Sequence, residues 1–276
     1  MENFKLWNGV EIPAIGFGTY KSTVEEGKTV ILRALEAGYR HLDTAAFYGN
    51  EELIGESIKD SKIPRDQLFL TSKVWKTWLG YDNTIKSFEE SLKKLGTDYL
   101  DLFLIHWPAA AGHMYEDPKA TDQSTWKALE DLYESGKIRG IGLSNFLPHH
   151  YLGLMETAKI KPMVNQLEFH PGYTQQAAVD FFQAQGIVVE GWSPIGRARV
   201  LDDPLILKLA EKYGKNPGQI CLRFAVQRNV LPLPKSSSVE RMKMNQEVFD
   251  FQISEEDMYR LLTMPQTGWS GEHPDL

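Results

Sequence analysis

The sequence lacks the features that mark secreted and membrane proteins. Its 276 residues contain one cysteine, Cys221, so an internal disulfide cannot form and a reducing compartment is indicated. No apolar run approaches the roughly 20 residues that a transmembrane helix needs. The opening segment, residues 1–5, also lacks the apolar core of a signal peptide. We therefore expect a soluble, cytoplasmic protein with no membrane partner.

Positive charge is also in short supply. The chain carries 30 Lys and Arg against 37 Asp and Glu, a net charge of −7, which disfavours binding to nucleic acid. Linkers rich in Pro, Ser or Gly are missing as well, although the length is sufficient for a large core. We expect residues 1–276 to form a single domain that acts as a monomer on small molecules.

What the chain does contain is a long alternation of short apolar segments and amphipathic ones. The Asn8-Gly9 pair predicts an N-terminal β-hairpin. Strands are predicted at Ala14–Gly18, His41–Asp43, Leu68–Lys73, Leu100–His106, Ile138–Ser144, Met163–Glu168, Ile187–Gly191 and Val230–Pro232. Helices are predicted near residues 24–37, 51–60, 82–95, 122–135, 148–157, 175–185, 203–213 and 217–228. Buried strands that alternate with helices in this number indicate an α/β fold, a parallel sheet closed into a (β/α)8 TIM barrel.

The segment from Gly16 to Lys21 resembles the start of a dinucleotide-binding motif. It reads G-F-G-T-Y-K, so Lys21 stands where the third glycine of G-x-G-x-x-G is required. That motif also belongs to an open six-stranded sheet rather than to a barrel. We therefore interpret the segment as a tight turn after the first strand.

Polar side chains stand at the ends of three consecutive predicted strands. Asp43 closes the second strand, Lys73 the third and His106 the fourth. Adjacent strands lie about 4.8 Å apart, so the three residues should fall within roughly 10 Å of one another at the rim where barrel enzymes have their sites. Tyr48 lies in the loop after Asp43, and Asn50 is predicted to cap the next helix. Each residue alone suits a structural role, whereas the four together indicate an active site.

These four residues resemble the catalytic tetrad of the aldo-keto reductase superfamily, in particular of bacterial members such as 2,5-diketo-gluconate and aldehyde reductases. Further phrases resemble that family's second, fourth and fifth strands and the loop after its eighth: Gly38–Ala45, Leu104–Pro108, Gly140–Phe146 and Pro234–Ser236. The resemblance covers essentially the whole chain. It implies an NADPH-dependent oxidoreductase that reduces aldehydes and ketones to alcohols on a TIM barrel.

Within that resemblance, each member of the tetrad has a chemical role. Tyr48 would donate a proton to the carbonyl oxygen, and the Lys73 ammonium would lower the phenol's pKa by about 1–3 units. Asp43 would hold that ammonium, and a neutral His106 would hydrogen-bond the carbonyl. No metal is expected, because the histidines His149, His150 and His170 lack a ligand cluster in the sequence.

The second half of the chain is predicted to bind the cofactor, NADPH or NADP+. Lys235 and Arg241 flank a helix that starts near Val239 after a Ser238 cap, and such a helix start attracts phosphate. Two cations exceed what a diphosphate needs and suggest the 2′-phosphate of NADPH. Ser236 and Asn245 complete this group. The resemblance further assigns the nicotinamide and diphosphate side to Ser144, Asn145, Gln166, Trp192 and Ser193.

An aromatic set is predicted to line the substrate pocket at the barrel mouth. Its members are Tyr20, Phe47, Trp75, Trp78 and Trp107. Two other functions stay open beside carbonyl reduction. Lys73 could serve as the Schiff-base amine of a lyase or aldolase on the same barrel, or the protein could bind NADPH without turnover. The physiological carbonyl is not defined by these residues.

Overall fold

The computed structural model describes residues 3–276. It begins with the predicted hairpin, in which β1 (Asn3–Lys5) pairs antiparallel with β2 (Glu11–Pro13). Leu6 and Ile12 are buried: Leu6 is 1% exposed, and it lies against Gly140 at the N-terminal end of the strands described next. The hairpin thus covers the bottom of the main sheet.

Eight parallel strands follow within the described residues, and they form one sheet in chain order. They are β3 (Phe17–Gly18), β4 (His41–Asp43), β5 (Phe69–Val74), β6 (Leu102–Ile105), β7 (Ile141–Ser144), β8 (Val164–Glu168), β9 (Val188–Trp192) and β10 (Val230–Leu233). Their residues are almost all buried, as expected for strands covered by helices on one side and packed inside a barrel on the other. The predicted (β/α)8 architecture is confirmed.

The first and last strands of this sheet approach each other and nearly close the barrel. The Gly16 N–H donates to the Pro232 carbonyl at 3.1 Å, and the Gly18 N–H donates to the Pro234 carbonyl at 3.0 Å. A Cβ on Gly16 would lie 2.5 Å from Leu233 Cδ2 and 2.6 Å from His41 Nδ1, so any larger residue would force these side chains to shift. The two glycines therefore serve the seam of the barrel, and the dinucleotide motif is excluded. The predicted turn follows at residues 20–22.

The helices lie outside the sheet. In residues 3–276 they are α1 (Thr23–Glu26), α2 (Thr29–Glu36), α3 (Glu51–Ser61), α4 (Tyr81–Leu95), α5 (Pro118–Glu134), α6 (Pro148–Met155), α7 (Gln176–Ala184), α8 (Pro204–Tyr213), α9 (Pro217–Gln227), α10 (Val239–Gln246) and α11 (Glu255–Leu262). No helix in this part of the chain is long and apolar enough to cross a membrane.

Two helix predictions differ from the structure. The helix predicted near 24–37 is divided into α1 and α2, because Gly27 adopts a positive φ of 55° that ends the first turn. The helix predicted at 122–135 begins earlier, at Pro118. Asp117 caps it by accepting a hydrogen bond from the Ala120 N–H, and a proline suits the first helical position.

Candidate active site

The loop after β4 carries Tyr48 on a short 3-10 helix, Ala46–Tyr48. This loop is fixed by Asn50, whose Oδ1 accepts from Thr44 Oγ1 at 2.7 Å and whose Nδ2 donates to the Thr19 carbonyl at 2.9 Å. Asn50 occupies the predicted N-cap position of α3, but its side chain makes no hydrogen bond to the α3 amides. Its side chain ties the loop after β4 to the loop after β3 instead, and this holds Tyr48 over the barrel mouth.

Lys73 lies at the centre of the predicted tetrad and is fully buried. Its Nζ donates to Asp43 Oδ1 at 2.7 Å, to the Thr44 carbonyl at 3.0 Å and to the Tyr48 hydroxyl at 3.4 Å. Burial opposes its charge, but Asp43, Tyr48 and Glu190 together outweigh that effect, and the pKa of Lys73 is raised above its ordinary value. Lys73 is therefore an ammonium group with its three hydrogens engaged.

The phenol of Tyr48 keeps its proton in the free protein. Burial raises its pKa to about 12, and the neighbouring Lys73 ammonium opposes this rise without reversing it. The predicted lowering by Lys73 is thus present as a contribution but is smaller than the effect of burial. Tyr48 retains partial contact with solvent, and its ring lies 5.0 Å from that of Tyr20.

His106 directly follows β6, and its imidazole lies beside the Tyr48 ring. Its ring centroid lies 5.5 Å from that of Tyr48 and 5.1 Å from that of Trp75, edge to face in both cases. Burial, and then the charge of Lys73, hold the pKa of His106 well below its usual range. The imidazole is therefore neutral, with one N–H to donate. Asn145 Nδ2 donates to the backbone carbonyl of His106 at 3.0 Å and thereby fixes the end of β6.

A second acid, which the sequence did not single out, lies inside the barrel. Gln166 Nε2 donates to Asp43 Oδ2 at 2.8 Å and to Glu190 Oε2 at 2.7 Å. Glu190 is fully buried on β9, and burial next to Asp43 raises its pKa to about 8. The available signal was an acid in the apolar phrase V-V-E-G-W, two residues before Trp192.

The residues predicted for the nicotinamide side are brought together beside the tetrad. Ser144 Oγ donates to the Gln166 carbonyl at 3.1 Å, and Asn145 Nδ2 donates to Ser144 Oγ at 3.2 Å. The indole Nε1 of Trp192 donates to Asn145 Oδ1 at 2.9 Å, with its ring half-buried. Ser193 follows with a positive φ of 50°. These contacts join the ends of β7, β8 and β9.

The residues predicted for the phosphate side lie together after β10. Ser238 caps α10 as expected, accepting from the Arg241 N–H at 3.3 Å. Arg241 Nε donates to Ser236 Oγ at 3.4 Å, and Lys235 Nζ donates to the Lys21 carbonyl at 2.9 Å. Lys235 and Arg241 are exposed. Asn245 lies one turn after Arg241 on the same helix.

The predicted aromatic wall divides into two parts. Phe47 stacks on Trp75 with ring centroids 3.8 Å apart, and Tyr20 lies beside Tyr48. Trp78 instead lines a cavity of about 220 Å³ between the Phe47–Trp75 stack and α4, and neither Tyr48 nor His106 lines it. Trp107 is buried, with 9% of its surface exposed. This cavity therefore lies outside the barrel, and only part of the aromatic set faces the tetrad.

The C-terminal tail crosses the barrel mouth. Both the N–H and the hydroxyl of Ser270 donate to Glu168 at the end of β8, and the Gly112 N–H donates to the Leu276 carbonyl. Asp275 Oδ1 lies 3.0 Å from His149 Nε2 and 2.8 Å from His150 Nε2. This cluster of two histidines and an acid was not predicted from the sequence. The Leu147 N–H donates to His150 Nδ1, so Nδ1 is the acceptor and the neutral imidazole carries its proton on Nε2. A metal between His150 and Asp275 would need a lone pair on that Nε2 atom. We read this cluster as an anchor for the tail.

Known proteins are similar to this sequence over most of its length. A family model described as Aldo/keto reductase family matches residues 14–263. The chain belongs to the aldo/keto reductase family. Glyoxal reductase from Bacillus subtilis (strain 168) is 45% identical across 99% of this chain and 96% of that protein. The family predicted from four residues near the strand ends is thereby confirmed, and membership places the chain among oxidoreductases.

Solved structures of the family have the same architecture. MGS-M4, an aldo-keto reductase enzyme from a Medee basin deep-sea metagenome library, has a TM-score of 0.91 and 40% identity, covering 99% of this chain and 98% of that one. The Bombyx mori aldo-keto reductase, crystallised in complex with NADP, has a TM-score of 0.87 and 33% identity, covering 99% of this chain and 98% of that one. The fold of the family therefore extends over nearly the whole chain.

Proposed function

We propose that this protein reduces small aldehydes and ketones to alcohols, with NADPH as the reductant and Tyr48 as the proton donor. The proposal rests first on one observation: Lys73 Nζ lies between the Asp43 carboxylate and the Tyr48 hydroxyl, at 2.7 and 3.4 Å. A buried ammonium at that place favours the phenolate that forms when Tyr48 gives up its proton. Asp43 keeps the ammonium charged in an environment that otherwise disfavours charge.

The residues present fit NADPH. Two exposed cations, Lys235 and Arg241, flank the capped start of α10, where helix amides also attract anions. At the other end of the proposed site, the half-buried ring of Trp192 and the polar groups of Asn145 and Gln166 stand beside the tetrad. Family members crystallised with NADP or NADPH support the assignment. When bound, the cofactor would supply the hydride.

The chain's own groups would complete the reaction. Neutral His106 has one ring N–H, which it can donate to the carbonyl oxygen to orient the substrate. Tyr48 would then protonate that oxygen as it gains negative charge, and Lys73 would stabilise the phenolate left behind. The phenol is protonated in the free protein, which is the state that a proton donor requires.

The geometry disfavours a Schiff-base function for Lys73. A nucleophilic lysine must be a free amine with an accessible lone pair. Lys73 is fully buried, its pKa is raised, and its hydrogens are directed at Asp43, Thr44 and Tyr48. The alternative of NADPH binding without turnover conflicts with the assembled tetrad.

The substrates proposed are small aldehydes, ketones, α-dicarbonyls and keto-sugars, consistent with a partly aromatic wall and with the glyoxal reductase among the relatives. The test is a panel of such carbonyls with purified protein, followed by the loss of NADPH absorbance. Carbonyl-dependent oxidation of NADPH is expected. Its absence across the panel, with NADPH still bound, would favour the non-enzymatic alternative. That residues 1–276 form one domain and act as a cytoplasmic monomer belongs to the same proposal.

A further inference from the structure

We propose that Glu190 is a positioning residue, which fixes the side-chain amide of Gln166 so that its carbonyl oxygen can hold the cofactor. This inference rests on the NADPH-binding function proposed above. It concerns a residue on β9 that is fully buried inside the barrel.

The position of Gln166 makes its amide unusual. Gln166 lies on β8 beside Glu190 in the strand register, and β8 is opposite β4 in the closed order of the eight described strands. The side chain nevertheless reaches Asp43 of β4, so it crosses the interior. Its Nε2 donates one hydrogen to Asp43 Oδ2 at 2.8 Å and the other to Glu190 Oε2 at 2.7 Å. Both hydrogens of the amide are therefore used.

These two bonds determine which way the amide faces. Asp43 forms an ion pair with the Lys73 ammonium at 2.7 Å, and a carboxylate in such a pair can only accept hydrogen bonds. The nitrogen of Gln166 must therefore face Asp43. A single bond would still let the amide rotate about that contact, and the second bond, to Glu190, removes this freedom. The oxygen Oε1 is left as the acceptor, in one fixed direction.

The cost of burying Glu190 indicates that it has a role beyond packing. Among the described residues, its other oxygen, Oε1, has no hydrogen-bond partner. A buried polar atom without a partner is unfavourable, and an apolar residue of similar size would avoid that cost. Burial and the nearby Asp43 raise the pKa of Glu190, so it holds a proton at neutral pH. A neutral acid can accept from Gln166 without placing a second negative charge beside Asp43.

A double-mutant cycle on the free energy of NADPH binding tests this coupling. The dissociation constant is measured by fluorescence titration for wild type, Glu190→Leu, Gln166→Ala and the double variant. We expect Glu190→Leu to raise the constant about tenfold in the wild-type background, and by less than about twofold in the Gln166→Ala background. Glu190→Gln keeps an acceptor, so it should stay within about threefold of wild type. Glu211→Leu, an exposed acid on α8, is the matched control.

The outcomes separate this inference from the proposed function. Equal losses from Glu190→Leu in both backgrounds, or no loss in either, would overturn the positioning role while NADPH binding by wild type stands. Failure of the wild type to bind NADPH would overturn both proposals.

A measurement on the free wild-type protein does not depend on the variants folding. Nuclear magnetic resonance should show that both N–H hydrogens of the Gln166 side chain exchange slowly with water, because each hydrogen has its own buried carboxyl acceptor. Rapid exchange of either hydrogen with water would contradict the geometry on which the inference rests.

Discussion

The ammonium of Lys73 lies 3.4 Å from the hydroxyl of Tyr48, a longer contact than the 2.7 Å that joins it to Asp43. The ammonium is therefore held mainly by the acid, and the phenol is a secondary partner while it is neutral. A full negative charge on Tyr48 would strengthen this contact, since the attraction between opposite charges exceeds that between a charge and a neutral oxygen. The contact with Lys73 thus stabilises the phenolate that forms on proton transfer more than it stabilises the neutral phenol.

Tyr48→Phe removes the proton donor and leaves the ring in place. We expect the turnover number for carbonyl reduction to fall by about 100-fold or more, while the NADPH dissociation constant changes by less than about threefold, because the hydroxyl contacts Lys73 rather than the proposed cofactor residues. Steady-state kinetics and fluorescence titration measure the two quantities. Tyr259→Phe, an exposed tyrosine on α11, is the control. Undiminished turnover in Tyr48→Phe would remove Tyr48 from the mechanism.

Lys73→Met leaves the Asp43 carboxylate buried without its partner. Breaking a buried pair in this way costs about 3–5 kcal/mol of unfolding free energy, and turnover should collapse as well. Denaturant unfolding and steady-state kinetics give both values. The double variant Lys73→Met/Asp43→Asn removes the unpaired charge, so it should regain part of the stability without regaining activity. If stability and activity return together, or neither falls at first, the charge pair does not have the proposed role.

Arg241→Ala tests the assignment of the 2′-phosphate. A charge-assisted hydrogen bond to phosphate is worth about 1.5–3 kcal/mol, so the NADPH dissociation constant should rise about tenfold or more. The NADH constant should change little, because NADH lacks that phosphate. The preference for NADPH should also weaken with added salt, since Arg241 is exposed. Lys243→Ala, an exposed cation on the same helix, is the matched control. Equal losses for both cofactors would contradict the assignment.

Glu190 predicts a pH dependence of stability in the free protein. Its pKa is raised from 4.5 to about 8 in the fold, so between these values the native state binds more protons than the unfolded chain. Stability from this group therefore falls as pH rises, by up to about 1.4 kcal/mol per pH unit. The charged groups that face Glu190 are Asp43 and Lys73. Of the two strands beside β9, β8 contributes Glu168, whose carboxylate binds Ser270. The other, β10, contains no ionisable residue within its described range.

Glu190→Gln isolates this contribution. The variant lacks the titrating carboxyl, so its unfolding free energy relative to wild type should increase from pH 5 to pH 8 and then level off, a window set by the same pKa values. Urea unfolding at several pH values measures the difference, and other buried acids such as Asp122, with a pKa raised to about 7, cancel in it. A difference that does not change with pH would show that Glu190 is ionised in the native state.

Much of the architecture could be predicted from the sequence because barrel strands are short, apolar and regularly spaced. His41–Asp43 was predicted with its observed bounds, and the polar residues that end apolar strands, such as Lys73, were visible against their neighbours. Helix starts were less accurate where a cap and a proline lay outside the amphipathic pattern, as at Pro118. Periodicity reports on the buried face of a helix, and caps lie beyond it.

The contacts across the barrel could not be predicted in the same way. Gln166 and Asp43 are 123 residues apart, and no local pattern indicates that one side chain spans the interior to reach the other. Glu190 was overlooked because a single acid in an apolar strand looks like a surface position of that strand. Asn50 was predicted as a cap because its local sequence favours one, but its partners Thr19 and Thr44 come from other segments.

The seam between β3 and β10 has a consequence for biosynthesis. Gly16 and Gly18, near the start of the chain, find their acceptors only at Pro232 and Pro234, near its end. During translation, the edge of the first barrel strand that faces β10 stays unpaired until the segment that includes Pro234 has left the ribosome. Contacts so distant along the chain slow folding, because a large loop must close before they form. The barrel can therefore be completed only after synthesis of β10, and nascent chains that stop short of it expose an edge open to other strands.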